Sequence, residues 1–226
     1  IIDIRENSKS AIVNEAINLG IKIYWSHTVV DTYGYKKLHK ISLMELSNDG
    51  QSTIGSKINI DCDCLGVSGG WTPAVHLFTQ SGGKLKFRDE DEVFIPNIYP
   101  SKQISIGSCN GDFTLNEIIK NSSNSLKEFL EIENTEYENL NIINSIETDK
   151  RNIWLLPSDK VIGKTKPFVD YQNDATAKDI KLALREGFRS IEHVKRYTTT
   201  GMGTDQGKLG NMHALGIIAD TAGVKM

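Results

Sequence analysis

Ile1-Ile2-Asp3-Ile4-Arg5-Glu6-Asn7-Ser8-Lys9-Ser10-Ala11-Ile12-Val13-Asn14-Glu15-Ala16-Ile17-Asn18-Leu19-Gly20 opens as a β-branched run that ends in an acid and a base. It then takes up helical spacing. Ile12, Val13, Ala16, Ile17 and Leu19 fall on one face, Ser8 or Ser10 stands at the N-cap, and Gly20 sits at the C-terminal cap position. Three strand-like stretches follow at 21–26, 27–33 and 38–46, punctuated by Gly34 and the turn Asn48-Asp49-Gly50. A fourth, 58–68, leads into Gly69-Gly70. The first third thus reads strand, helix, strand and then an antiparallel ribbon, the order of an α/β unit with a β-meander.

Further along, a short strand is predicted at 104–106, passing into Gly107-Ser108-Cys109-Asn110-Gly111, and a helix over 115–130. Residues 120–150 are acidic and rich in Asn, Ser and Glu, the composition of a solvated helix end and loop. Residues 151–226 turn net positive and predict three helices. The first, 176–186, opens on a Thr176-x-x-Asp179 capping box and closes at Gly187. The second, 190–197, has Ser190 as N-cap; the third starts at Asp205 or Gln206 and ends near Asp220. Two parts are expected: an α/β stretch over 1–150 whose order suits part of a Rossmann-like FAD/NAD(P)-binding domain with a β-meander, and a small helical domain over 151–226.

Composition narrows the function classes. With 38% hydrophobic and 24% charged residues, 226 residues suffice for a core, and a net charge of −3 supplies no basic field for nucleic acid. Apolar runs are too short for a membrane span. Three cysteines (Cys62, Cys64, Cys109) make neither an even disulfide framework nor a four-ligand zinc set, so no metal site and a reducing, cytoplasmic compartment are expected. The chain starts at Ile1 inside a strand-like run, and is read as an internal fragment of a longer chain.

Three constellations bear on chemistry. Ser68-Gly69-Gly70-Trp71 follows an apolar stretch, and two glycines at a strand's carboxyl end allow either close approach to a ligand or a tight turn. No Gly-x-Gly-x-x-Gly stands in the chain, so either the fold is not dinucleotide-binding or its first strand lies upstream. Asp3 and Arg5 end a strand before a helix, where an acid can hold ribose hydroxyls and an Arg a phosphate; the alternative is a surface ion pair. Most pointed is Lys195-Arg196-Tyr197-Thr198-Thr199-Thr200-Gly201-Met202-Gly203-Thr204-Asp205-Gln206, between two predicted helices. Hydroxyls, free backbone N–H groups, a helix N-terminus and two cations would form an anion site there; the alternative is a polar interhelical loop. The five histidines are scattered, and no nucleophile or acid–base pair is legible.

The segments 64–77, 80–85, 168–180 (Phe168-Val169-Asp170-Tyr171-Gln172-Asn173-Asp174 onward) and 192–208 resemble the α subunits of heterotetrameric sarcosine oxidases. The resemblance implies a nucleotide-binding region holding NAD, FMN near the boundary with the β subunit, and FAD in that partner. It also implies γ and δ subunits and a tetrahydrofolate-binding domain beyond residue 226. With that resemblance, Ser68, Gly69 and Gly70 are read as the edge of the NAD site, and Trp71, Asp3 and Arg5 as further cofactor-binding candidates. Lys195, Arg196, Thr198, Thr199, Thr200, Gly201, Met202, Gly203 and Gln206 fall to FMN. No catalytic residue is assigned, and the stretch is not expected to be active alone.

The C-terminal block is also similar to two-subunit amine and opine dehydrogenases, whose matching helices hold a 2Fe–2S cluster of the bacterioferritin-associated-ferredoxin type. The cysteines of that cluster would fall at Asp170, Gln172, near Asp205 and near Gly210, none of them Cys. The helical domain is thus expected to be cluster-free, which favours the oxidase over those dehydrogenases. A structural NAD-binding scaffold is the non-enzymatic alternative.

Overall fold

A computed structural model describes residues 1–132, 152–160 and 164–226. The chain divides into two compact units, each assembled from separated segments. One comprises Ile1, Asn7–Ile23 and Gly66–Asn152; the other Ile2–Glu6, Tyr24–Leu65 and Ile153–Met226. The predicted boundary at 150–151 lies outside the described residues.

In the second unit, β1 (Ile2–Asp3) pairs in parallel with β2 (Tyr24–Trp25), and Ser26 N–H donates to the Arg5 carbonyl at 2.8 Å. An antiparallel meander follows: β3 (His27–Gly34), β4 (Leu38–Leu46) and β5 (Thr53–Asp61), with β4 central. Val30, Ile41, Leu43, Met44 and Leu46 are buried, and Leu43 is wholly so. Ser42 is also buried; its hydroxyl is satisfied by Asn59 Oδ1 at 2.6 Å, which removes the cost of an unpaired polar group. Lys57 and Lys160 bind Asp159 and Asp31 respectively, fastening β3 and β5 to the 159–160 segment.

The helical part of this unit contains β8 and β9, numbered after the strands of the first unit. That first unit holds α1 (Ala11–Asn18), α2 (His76–Gln80), the hairpin β6 (Lys84–Arg88) and β7 (Val93–Ile98), a 3₁₀ turn at Gly107–Asn110, and α3 (Leu115–Leu130). Phe87 and Phe94 face each other across the hairpin at 5.1 Å, and the Arg88–Asp91 ion pair closes its turn. Thr114 caps α3 in a reciprocal box with Glu117. Returning to the second unit, β8 (Phe168–Asp170) pairs with β9 (Ala175–Thr176), which enters α4 (Ala177–Arg185); α5 (Ile191–Thr198) and α6 (Asn211–Ala222) complete it.

The core of these helices follows from periodicity. Ala177, Ile180, Ala183 and Leu184 recur along one face of α4 and meet Val194, Ala214, Ile217, Ile218 and Val169. Alanines at three contact points let the helices approach closely, while Ile180 and Val194 each contribute about 2 kcal/mol by burial. Thr176 and Asp179 form the predicted capping box.

Several expectations change. β5 begins at Thr53 and ends at Asp61, so Ser68–Trp71 does not continue a strand. No strand forms at 104–106. The hairpin at 84–98 has no counterpart in the sequence reading. Along α1 the expected apolar face is present, yet Ile12, Ile17 and Leu19 are exposed and only Ala16 is buried. α6 starts at Asn211 because the Asp205 carboxylate takes the Gly207 and Leu209 N–H groups into turns that delay the helix. The fold is α/β; among the described residues β1–β2 is the only parallel pair.

Candidate functional site

Helix α5 ends where Thr199 adopts φ +58°, and its last turn carries Lys195 and Arg196. The chain then turns back so that Lys195, Arg196, Gly201, Met202, Gly203 and Gln206, with Glu192, line an open cleft of about 590 Å³. Arg196 Nη2 lies 4.0 Å from Glu192 Oε2, with both groups well exposed. Met202, within the loop, is 57% exposed and adds an apolar group to the cleft lining.

Much of the loop is wired inward. Thr198 and Thr200 are buried, and their hydroxyls bond each other at 2.7 Å; Thr198 also donates to the Val194 carbonyl. The Thr199 hydroxyl donates to the Thr198 carbonyl. The backbone N–H groups are likewise committed: Gly201 to Asp170 Oδ2 at 2.7 Å, Met202 to the Thr199 carbonyl, Thr204 to Gln172 Oε1 at 2.6 Å, and Gln206 to the Gly203 carbonyl. With the Gly201, Met202, Thr204 and Gln206 N–H groups engaged, these four donors supply little to an incoming anion. Attraction therefore falls to the side chains of Lys195 and Arg196.

Asp170, at 6% exposure, is the acceptor that organises this wiring. Its carboxylate also receives the N–H groups of Gln172 at 2.9 Å and Asn173 at 3.0 Å, and Asn173 Nδ2 at 3.3 Å. Burial alone would raise its pKa, but the bonds from Gly201, Asn173 and Gln172 outweigh that and hold it below the ordinary carboxylate value. A Cβ at Gly203 would lie 3.0 Å from Gln172 Cβ and overlap its Oε1, so a larger residue there would push the Gln172 side chain off its bond to Thr204.

The other predicted residues do not join this cleft. Ser68, Gly69, Gly70 and Trp71 are exposed, Trp71 at 85%, and belong to the other compact unit. Asp3 and Arg5 close on each other: Arg5 Nη2 reaches Asp3 Oδ2 at 2.7 Å and Nε reaches Oδ1 at 3.0 Å. Among the described residues no cluster of His, Cys, Asp and Glu could hold a metal ion, and the cysteines are free. No helix among them is long and apolar enough to cross a membrane.

Comparison with known proteins places the cleft. Residues 164–226 match the family model of the sarcosine oxidase A3 domain. The whole chain is 30% identical over 234 residues to the sarcosine oxidase subunit alpha of Corynebacterium sp. strain P-1, and covers 24% of that protein. Over 202 residues it is 31% identical to the subunit alpha of Rhizobium meliloti strain 1021, spanning 84% of this chain and 19% of the relative. The chain is similar along its whole length to the sarcosine oxidase α subunit. It spans about a quarter of the length of these curated relatives. Among solved structures, L-proline dehydrogenase from P. horikoshii shares the fold, with a TM-score of 0.59 over 99% of this chain and 45% of that one, at 18% identity.

At the positions where cluster cysteines would fall in the dehydrogenases of the second resemblance, this chain carries groups with other uses. Asp170, Gln172 and Asp205 accept hydrogen bonds from backbone N–H groups within 172–209. Gly210 admits no side chain, because a Cβ there would lie 2.5 Å from the Val169 carbonyl oxygen. From the sequence, Asp170 and Gln172 stand out only as missing thiolates, and Asp205 also as a candidate helix start. Their acceptor chemistry was the available signal that they bind the loop instead.

Proposed function

We propose that this stretch serves a flavin-dependent amine oxidoreductase of the sarcosine oxidase kind, and that the Lys195–Arg196 cleft receives the phosphate of FMN. The observation that carries this is the meeting of two cations, an amide and a thioether in one cleft, within the segment that matches the A3 domain. The donor set fits such a ligand. Arg196 offers a planar fork and Lys195 a point charge for a phosphate monoester, and the polarizable Met202 thioether suits a ring face. A flavin held there supplies one- and two-electron transfer. The chain's own part is to attract and orient the phosphate, with the exposed Glu192 carboxylate 4.0 Å from Arg196 at the edge of the cleft.

In the whole enzyme, sarcosine is oxidised on FAD in the β subunit. Oxygen and tetrahydrofolate are consumed, and glycine, hydrogen peroxide and methylenetetrahydrofolate are released. The γ and δ subunits complete a cytoplasmic heterotetramer, and the folate is bound outside residues 1–226. NAD is held at Ser68–Trp71 in a 1–150 nucleotide-binding region, and Asp3 and Arg5 remain separate candidates for contact with a cofactor's ribose and phosphate. Residues 151–226 form a cluster-free relative of the bacterioferritin-associated-ferredoxin domain. End-to-end similarity to α subunits supports these assignments. The test is the Lys195→Ala/Arg196→Ala double variant in the full complex: the FMN-to-protein ratio falls. An unchanged ratio refutes the assignment.

A further inference from the structure

The wall of the cleft is held from behind by one short turn. Asp170, Gln172 and Asn173 send three separate cross-links to the 199–204 loop, across 26 to 32 residues of sequence. Asp170 Oδ2 accepts the Gly201 N–H at 2.7 Å, Gln172 Oε1 accepts the Thr204 N–H at 2.6 Å and its hydroxyl at 2.9 Å, and Asn173 Nδ2 donates to the Thr199 carbonyl at 3.1 Å. The turn is in turn fixed by its own bonds, since Asp170 also binds the N–H groups of Gln172 and Asn173. Gly201, held directly, lines the cleft, and so do Met202 and Gly203, which lie between the held Gly201 and Thr204.

We propose that Asp170 and Gln172 are positioning residues of the cleft: their side-chain oxygens fix the path of the 199–204 loop, and with it the placement of Gly201, Met202 and Gly203 opposite Lys195 and Arg196. This rests on reading the cleft as the anion site. The chemistry of the two positions is specific. A carboxylate at 170 is acceptor-only and takes N–H donors from both sides, whereas an amide would turn an NH₂ group toward one of them. At 172 one acceptor oxygen suffices, so a carboxylate there keeps the link and a methyl group loses it. Gln172 is exposed, and its loss leaves the helical core untouched.

The experiment uses the full α subunit in its assembled complex, with FMN as the probe. Amide exchange within 199–205 is compared with that of α4, and FMN dissociation is measured for Asp170→Asn, Gln172→Ala and Gln172→Glu. Losing a bond of this kind raises exchange at Gly201 or Thr204 about tenfold and weakens FMN by about the same factor, with α4 unchanged. Gln172→Glu stays close to wild type in both. Unchanged exchange at Gly201 and Thr204 overturns the proposal, as does faster exchange with undiminished FMN affinity. The Lys195→Ala/Arg196→Ala variant separates the two readings. If it keeps its flavin, the anion site itself fails. If it loses flavin while Asp170→Asn and Gln172→Ala keep theirs, only the positioning role fails.

Discussion

Gly216 offers a sharp test of the packing. It lies within α6, where replacing Gly by Ala ordinarily stabilises a helix by about 1 kcal/mol. Here a Cβ would fall 2.7 Å from Trp154 Cε2 and closer still to Cδ2 and Cγ. Carbon atoms need about 3.5 Å, so the indole must retreat by about 1 Å. That ring stands edge-on to His213 at 6.1 Å and packs on the core containing Ile217 and Ile218, so retreat loosens both contacts. Overpacking of this sort costs about 1–3 kcal/mol and a lost ring pair adds about 0.5 kcal/mol or more, which together exceed the helix gain. Gly216→Ala therefore destabilises by about 1–2 kcal/mol, lowering Tm by about 2–4 °C for each kcal/mol. In a Trp154→Leu background the obstacle is gone and the same change becomes neutral or stabilising. A double-mutant cycle in urea reads the difference as a coupling of at least about 1 kcal/mol. Equal effects in the two backgrounds, or stabilisation with Trp154 present, would refute the reasoning.

Two further outcomes follow from local chemistry. The folded pKa of Asp170 is lowered, so its contribution to stability is complete above the unfolded value of about 3.9 and is lost as pH falls through the folded value. The stability gap between wild type and Asp170→Asn is thus constant from about pH 7 to 5 and shrinks below about pH 4; urea midpoints across pH measure it, and a gap that widens in acid contradicts the assignment. Thr176 caps α4 by accepting the Asp179 N–H while Asp179 accepts the Thr176 N–H. Thr176→Ala costs about 1 kcal/mol and Thr176→Ser recovers most of it; equal stability of the three proteins by urea unfolding would deny the cap a role.

Legibility in the sequence tracks how local the determining interactions are. The bounds of α3 and the α4 capping box could be read because Thr114–Glu117 and Thr176–Asp179 settle those ends within one turn. The start of α6 could not, since Asp205 has the appearance of an N-cap but spends its carboxylate on the turns before Asn211. β5 was misplaced because its first residues are polar and exposed, and only pairing with β4 makes Thr53–Lys57 a strand. The hairpin at 84–98 turns on Asp89-Glu90-Asp91-Glu92, where the Arg88–Asp91 pair does what an Asn-Gly turn usually does. As for the cleft, its cationic residues were legible as neighbours in sequence. The inward wiring was not, because it depends on Asp170 and Gln172, about thirty residues away.

The central claim is that Lys195 and Arg196 hold a flavin phosphate in a cleft shaped by the 199–204 loop. An experimental structure of the complete complex with its flavins bound tests it most directly. The phosphate oxygens of FMN are expected about 2.7–2.9 Å from Lys195 Nζ and the Arg196 guanidinium, with Gly201 N–H still on Asp170. A flavin phosphate bound elsewhere, with these two side chains facing only solvent or a partner carboxylate, would contradict it.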